Sequence, residues 1–267
     1  MASRKKWKRM LRRLWGGLSF PMRLLSYNVR GLGGGEKRGE VRKLVSEKHS
    51  FVMCIQESKL GVVDDLMIKL IWGDAACGYS YQPLVGASGG LVTVWDTSCV
   101  VVWSTTSFSH VGVMGFLTPL VANNNDVCVC VCGDFNSVRN WKERRGRSSV
   151  FRQADADLFN KFIEDNFLID LPICGRLFTW YRGDGISMSR IDRFLLSAKW
   201  CEAWPNSIQV AHQRGLSDHV PLSLYVDAAN WGPRPLRMLR CWAEFPGYDD
   251  FVRNKWVRNG INNTLRT

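Results

Sequence analysis

Asp134 and Asn136 stand two residues apart after an apolar run, in Val131-Cys132-Gly133-Asp134-Phe135-Asn136. The alternation of Val and Cys from Val127 to Cys132 predicts a buried strand. Gly133 lets the backbone turn where that strand ends. On an extended segment, positions i and i+2 point to the same side. A carboxylate and a carboxamide placed this way can address one ligand atom. A base beside a hydrogen-bonding orienter suits the activation of a water for attack on phosphorus.

Other strand ends carry polar residues that a core would not need. Asn28 closes a first apolar run and Glu57 a second. Asp192 lies in Ser189-Arg190-Ile191-Asp192-Arg193-Phe194, and Ser217-Asp218-His219 precedes the last apolar run. Each alone has a plain reading as a turn or solvated residue; the full set at element ends points to a site. Magnesium takes oxygen ligands and one or two carboxylates. Glu57 is the best candidate ligand, with Asn28 beside it in the metal set and Asp218 as a further acidic group. Asp134 would deprotonate or orient the water, with Asn136 fixing it. His219, oriented by Asp192, would donate to a phosphate oxygen as charge builds there.

The elements that must position these residues can be read from periodicity. Strands are expected at 23–28, 51–57, 91–96, 100–108, 127–132, 177–181, 191–196 and 220–226. Helices are expected at 36–49, where Val41, Leu44 and Val45 share a face, at 63–72, and at 154–167, where Leu158, Phe159, Phe162 and Ile163 do. Strands outnumber helices without strict alternation. That favours sheets packed face to face with helices outside over a doubly wound sheet. Cys128, Cys130 and Cys132 alternate on an apolar strand and are expected to pack rather than bind metal. Trp180 and Tyr181 could stack on a base or belong to the core.

With 46% apolar residues among 267, a sizeable core is expected. No run reaches membrane-spanning length, and nine cysteines show no paired spacing. We expect a reduced intracellular protein, with no membrane and no obligate protein partner. The net charge of +12 sits in two tails, since 24–227 carries equal numbers of acids and bases. Residues 1–22 form a basic leader expected to be disordered and suited to polyanion binding or nuclear import. Trp231-Gly232-Pro233-Arg234-Pro235 breaks any element, so the domain is expected to end at 227.

These pieces resemble the endonuclease/exonuclease/phosphatase superfamily. The resemblance rests on Leu25-Ser26-Tyr27-Asn28-Val29-Arg30-Gly31, Ile55-Gln56-Glu57-Ser58, Gly89-Gly90-Leu91, Gly133-Asp134-Phe135-Asn136, Ser189-Arg190-Ile191-Asp192-Arg193-Phe194 and Ser217-Asp218-His219-Val220-Pro221. It implies a four-layer α/β sandwich (an α+β arrangement of two packed mixed sheets flanked by helices) and Mg²⁺-dependent phosphoester cleavage, with Mn²⁺ as a substitute ion. Asn28-Val29-Arg30-Gly31-Leu32, Phe178-Thr179-Trp180 and Glu143-Arg144-Arg145-Gly146 look like the endonuclease of plant LINE-type (non-LTR) retrotransposons. Residues 228–267 look like the linker toward a reverse transcriptase that this sequence does not reach. The resemblance implies a nuclear enzyme that nicks DNA and leaves a 3′-OH primer. Arg139, Lys142, Arg144, Arg145 and Arg147 would then form a clamp on DNA phosphates. The family carries a strand ending in Asn-x-Tyr-x-Pro before Gly-Asp-x-Asn. Residues 115–126 contain no Tyr, so a deletion near 112–127, removing one inner strand and a helix, is expected. The alternatives are an inactive copy that binds nucleic acid weakly, or another enzyme of the same fold, such as an apurinic-site nuclease or a phosphoinositide phosphatase.

Overall fold

The computed structural model describes residues 23–85, 88–100, 128–146, 151–226 and 246–258. The leader, residue 101 onward of the strand expected at 100–108, the segment near 112–127, Arg147 and residues 227–245 lie outside the described residues. The chain divides into two compact units, Met1–Ala228 and Ala229–Thr267.

In the first unit the strands are β1 (Arg23–Asn28), β2 (Val52–Gln56), β3 (Cys77–Val85), β4 (Ser88–Asp96), β5 (Cys130–Asp134), β6 (Arg144–Arg145), β7 (Leu168–Asp170), β8 (Ile173–Cys174), β9 (Trp180–Tyr181), β10 (Met188–Ser189), β11 (Asp192–Ser197), β12 (Ser207–Ala211) and β13 (Leu222–Val226). The helices are α1 (Gly35–Lys48), α2 (Asp65–Trp72), α3 (Gln153–Asp165) and α4 (Ala198–Ala203); α5 (Tyr248–Arg258) belongs to the second unit. A seven-stranded sheet runs β3-β4-β2-β1-β13-β12-β8, and a three-stranded sheet runs β5-β11-β7. A small ribbon, β6-β10-β9, completes the set.

Alternation along the strands builds the layers. Leu25 and Tyr27 of β1 face outward with Met53 and Ile55 of β2, where Val41 and Val45 of α1 and Ile68 and Ile71 of α2 cover them. Leu24, Leu222 and Leu224 face the other way and meet Phe194 and Leu196 of β11, with Cys128, Cys130 and Cys132 packed alongside. The far face of the small sheet carries Leu195 and Leu168 against Phe159, Phe162 and Ile163 of α3. The order helix, sheet, sheet, helix is the expected four-layer arrangement, and the cysteines fill the space between the sheets. Among the described residues, β5 has a hydrogen-bonded strand neighbour on one side, β11. No helix among the described residues is long and apolar enough to cross a membrane.

Several expected elements differ in detail. β3 is not foreshadowed by its sequence, since Gly78 and Pro83 interrupt it; it lies at the sheet edge, where a missing N–H costs no ladder bond. The strand expected at 177–181 is confined to Trp180–Tyr181, because Thr179 turns inward. Leu158 is exposed rather than on the α3 face; it falls at the edge of the stripe formed by Ala156, Phe159, Phe162 and Ile163. β5 begins at Cys130 and runs through Asp134, so Gly133 sits inside the strand at φ 142 rather than beyond it.

Candidate active site

Strand register brings the polar ends together. β1 and β2 are parallel with Asn28 opposite Gln56, which sets Glu57 beside Asn28. β13 runs antiparallel to β1, so the Ser217-Asp218-His219 loop that feeds it arrives at the Asn28 end. In the second sheet Asp134 lies directly opposite Asp192. Both sheets therefore deliver carboxylates at one edge of the sandwich.

Asn28 is almost fully buried and links the two sheets. Its Nδ2 donates to Asp134 Oδ2 at 3.1 Å and Glu57 Oε1 at 3.3 Å, while its Oδ1 accepts from the Arg30 amide at 3.2 Å. Turned the other way, the amide oxygen would face two carboxylates, so this orientation is chemically fixed. Asn28 thus orients Glu57 and Asp134, and its Oδ1 turns toward the backbone of Arg30.

His219 is buried, with Nδ1 on Asp192 at 3.0 and 3.2 Å and Nε2 3.9 Å from Asp134 Oδ2. Burial pulls its imidazole down, but the hydrogen bond and charge of Asp192, joined by Asp134 and Asp218, hold it above the ordinary histidine value. Asp134 is pushed up to about 6 by burial and by the Asp192 charge, although His219, the Asn136 amide and Asn28 oppose the shift. Asn136 is exposed at φ 51, outside extended backbone, and its backbone amide donates to Asp134 Oδ1 at 2.8 Å.

Glu57 and Asp218 form the second half of the site, with the guanidinium of Arg30 between them. Arg30 Nε and Nη2 reach Asp218 at 3.0 and 2.9 Å, and Nη1 reaches Glu57 Oε2 at 3.4 Å. Burial raises the Asp218 carboxyl, but Arg30, Trp180 and His219 outweigh it and hold it below the ordinary aspartate value. Arg30, Glu57, Lys59 and Asn136 all take positive φ without being glycine. Such strain concentrates at functional sites. Gly90, at φ 85, receives the amide of Ser58, and a Cβ there would lie 2.4 Å from Ser58 Oγ. The Gly89-Gly90 pair thus admits the loop that presents Glu57.

Residues not singled out for this role also hold the site. Thr179 Oγ1 accepts from the amides of Ile191 and Asp192, both at 3.0 Å, and Trp180 Nε1 donates to Asp218 Oδ2 at 2.9 Å. Ser217 Oγ donates to the Asn28 carbonyl and accepts from the His219 amide. Glu40 of α1 accepts from Tyr27 and from the Leu216 amide, tying that loop to the outer helix layer. Phe178-Thr179-Trp180 was visible as a motif; its positioning role depends on tertiary bonds that no spacing reveals. Trp180 and Tyr181 are turned to internal partners, Tyr181 donating to the Phe178 carbonyl.

The basic residues after β5 divide. Arg139 donates to Asn160 Oδ1 at 2.8 Å and lies 3.5 Å from Asp170, so its guanidinium has internal partners. Arg144 Nε donates to Ser189 Oγ at 3.3 Å, Lys142 lies over the exposed Trp141 ring, and Arg145 is exposed.

Among the described residues, two groups could hold a divalent cation. Asp134, Asp192 and His219 offer ligand atoms within 4.8 Å of one another. There Nδ1 pairs with Asp192, and Asp134 accepts from Asn28 and Asn136. Glu57 and Asp218 are partly buried oxygen donors paired with Arg30, and oxygen donors suit a hard cation.

A model of the endonuclease/exonuclease/phosphatase family matches residues 25–219. The chain belongs to that family. Several solved structures share its fold. The 3′-5′ exonuclease NExo from Neisseria meningitidis superposes with a TM-score of 0.60 at 16% identity, covering 77% of this chain and 100% of that one. The AP endonuclease LMAP from Leishmania major gives 0.58 at 14%, covering 79% and 89%. The endonuclease domain of TRAS1, a telomere-specific non-LTR retrotransposon, gives 0.54 at 11%, covering 78% and 98%. A comparison with curated proteins finds no match.

Proposed function

We propose that this chain is a Mg²⁺-dependent endonuclease of the non-LTR retrotransposon kind, nicking DNA to leave a 3′-OH. The observation that carries it is the pairing of an Asp134–His219–Asp192 cluster with the Glu57 and Asp218 carboxylates. Asp134, raised to about 6, is poised to take the proton of an attacking water near neutral pH. His219, held by Asp192 in one orientation and in its charged form, donates to a phosphate oxygen as negative charge develops. Mg²⁺ held by Glu57 and Asp218 would supply positive charge to the phosphate and to the departing 3′-oxygen; Mn²⁺ would substitute. Asn28 keeps both halves in register.

The retrotransposon assignment rests on Asn28-Val29-Arg30-Gly31-Leu32, Phe178-Thr179-Trp180 and the Trp231-Gly232-Pro233 segment. On this reading 23–227 is the catalytic domain, 228–267 a linker and 1–22 a nuclear-import or polyanion-binding leader. The test is nicking of supercoiled plasmid with Mg²⁺, beside Glu57→Ala and His219→Ala. Wild-type nicking lost in both variants, with nicks that a DNA polymerase extends, supports the reading. Equal activity in all three proteins sinks it. The Tyr-free segment 115–126 favours a second reading, an inactive copy; a folded wild type that never nicks any DNA, apurinic or intact, would establish that one.

A further inference from the structure

The guanidinium of Arg30 lies where a cation shared by Glu57 and Asp218 would lie. Both oxygens of Asp218 already receive donors. Oδ1 accepts from Arg30 Nε at 3.0 Å; Oδ2 accepts from Arg30 Nη2 and from Trp180 Nε1, each at 2.9 Å. Nη1 of the same fork lies 3.4–3.5 Å from the two oxygens of Glu57. The hold is uneven, close on Asp218 and loose on Glu57. The ammonium of Lys37 is turned to the carbonyls of Val29 and Arg30.

Two positive charges cannot both occupy this gap at low cost. We propose that Arg30 is a built-in competitor for the metal carboxylates: a divalent cation binds Glu57 and Asp218 only as the guanidinium lets go, and the released guanidinium then takes a phosphate oxygen of the DNA backbone. The inference rests on the reading of Glu57 and Asp218 as metal ligands. Trp180 retains Oδ2 of Asp218 throughout, so Oδ1 is the oxygen freed by the release. The side chain of Arg30 is 43% exposed, so it has room to leave. A planar fork is well matched to phosphate. Because the phosphate contact exists only in the released state, DNA and metal must strengthen each other's binding by the same factor. This makes Arg30 a positioning residue that couples metal loading to the arrival of substrate.

The test measures metal affinity, not cleavage. Mn²⁺ is titrated into the full chain by calorimetry and by electron paramagnetic resonance. Wild type, Arg30→Met, Arg30→Lys and Glu57→Gln are compared, without DNA and then with a cleavage-resistant phosphorothioate duplex. Arg30→Met should bind Mn²⁺ roughly tenfold more tightly than wild type. The duplex should raise the affinity of wild type by a clearly larger factor than that of Arg30→Met, in which only the direct contact of metal and phosphate couples the two. Arg30→Lys keeps the charge without the fork and should fall between. Should Arg30→Met fail to fold by circular dichroism, Arg30→Lys alone decides. Affinity in the decisive variant equal to or below wild type, with Glu57→Gln much weaker, overturns the competition and leaves the metal reading standing. Glu57→Gln binding as well as wild type overturns the metal reading and the inference together.

Discussion

Asp192 and Arg193 are neighbours on β11 and look into opposite faces of the inner sheet, as strand alternation requires. Asp192 enters a cluster with four carboxylates, Glu57, Asp134, Asp192 and Asp218, set against Arg30 and His219. Arg193 enters a buried cluster of three guanidinium groups, Arg139, Arg190 and Arg193, set against Glu143 and Asp170. Arg193 is fully buried, bonds Asp170 at 2.6 Å and Glu143 as well, and stacks its guanidinium 5.6 Å from the Phe159 ring. The second cluster carries opposed charges in close geometry and faces α3. The first carries an excess of negative charge at an open edge, holds one carboxyl near 6, and pins its cation loosely. Charges held in close pairs serve the fold; an excess of negative charge is what chemistry on a phosphodiester uses.

The largest expected effect breaks the comparison on its catalytic side. His219→Ala should cost about 10²–10⁴-fold in plasmid nicking, the usual contribution of a positioned acid. Its unfolding free energy should fall as well, because the buried Asp192 loses its partner. Arg193→Ala should act through stability alone. It takes from Glu143 and Asp170 their closest partner, leaving them Arg190, and should lower unfolding free energy by about 3–5 kcal/mol. Were Arg193→Ala to fold as stably as wild type, the division between the two clusters would not hold.

Thr179→Val tests the link between them, since Thr179 anchors the start of β11 where both clusters begin. Losing the oxygen leaves two buried amides unpaired and should cost about 1–3 kcal/mol. Nicking should fall as well, because Asp192 no longer holds His219 in place, and Thr179→Ser should restore both. A Val variant with lowered stability but unchanged kcat would show that Thr179 serves the fold alone.

How much of this the sequence could show depends on where each residue's partners lie. Asn28, Glu57, Asp134, Asp192, Asp218 and His219 are each a polar break after or before an apolar run, and strand ends of packed sheets meet at shared edges. Their convergence is therefore readable from pattern. The roles of Arg139 and Asn28 are not. Sequence shows that Arg139 is charged and near Asp134, but its partners Asn160 and Asp170 come from α3 and β7, 21 and 31 residues on. β3 escapes for a related reason, since its strand state comes from pairing with β4 rather than from its own composition.

Asp134→Asn sharpens the catalytic side by pH. An acid whose folded value lies near 6 against an ordinary 3.8 keeps its proton longer in the folded chain. Between pH 4 and 6 the folded state binds more protons than the unfolded one, so this group makes stability fall as pH rises and adds nothing further above 6. In metal-free buffer the Asn variant should match wild type at pH 4 and exceed it by about 1–3 kcal/mol at pH 7. His219 keeps its main partner, Asp192, in both proteins. Nicking should be lost even as stability rises. A variant less stable than wild type at pH 7 would mean that the hydrogen bonds from Asn28 and Asn136 outweigh the cost of burying the charge.

The smallest effect separates the two kinds of arginine within one loop. Lys142 and Arg145 are exposed, whereas Arg139 is tied to Asn160 and Asp170. A Lys142→Ala/Arg145→Ala double variant should keep its stability within about 0.5 kcal/mol. It should bind duplex DNA more weakly, with the slope of log affinity against log salt reduced by about two. Arg139→Ala should leave that slope unchanged and lose stability instead, because Asn160 Oδ1 loses its donor while Asp170 keeps Arg190 and Arg193. If Arg139→Ala shifts the salt slope as much as the exposed pair does, its guanidinium leaves Asp170 for DNA, and the boundary between the sealed cluster and the binding surface lies one residue set further in.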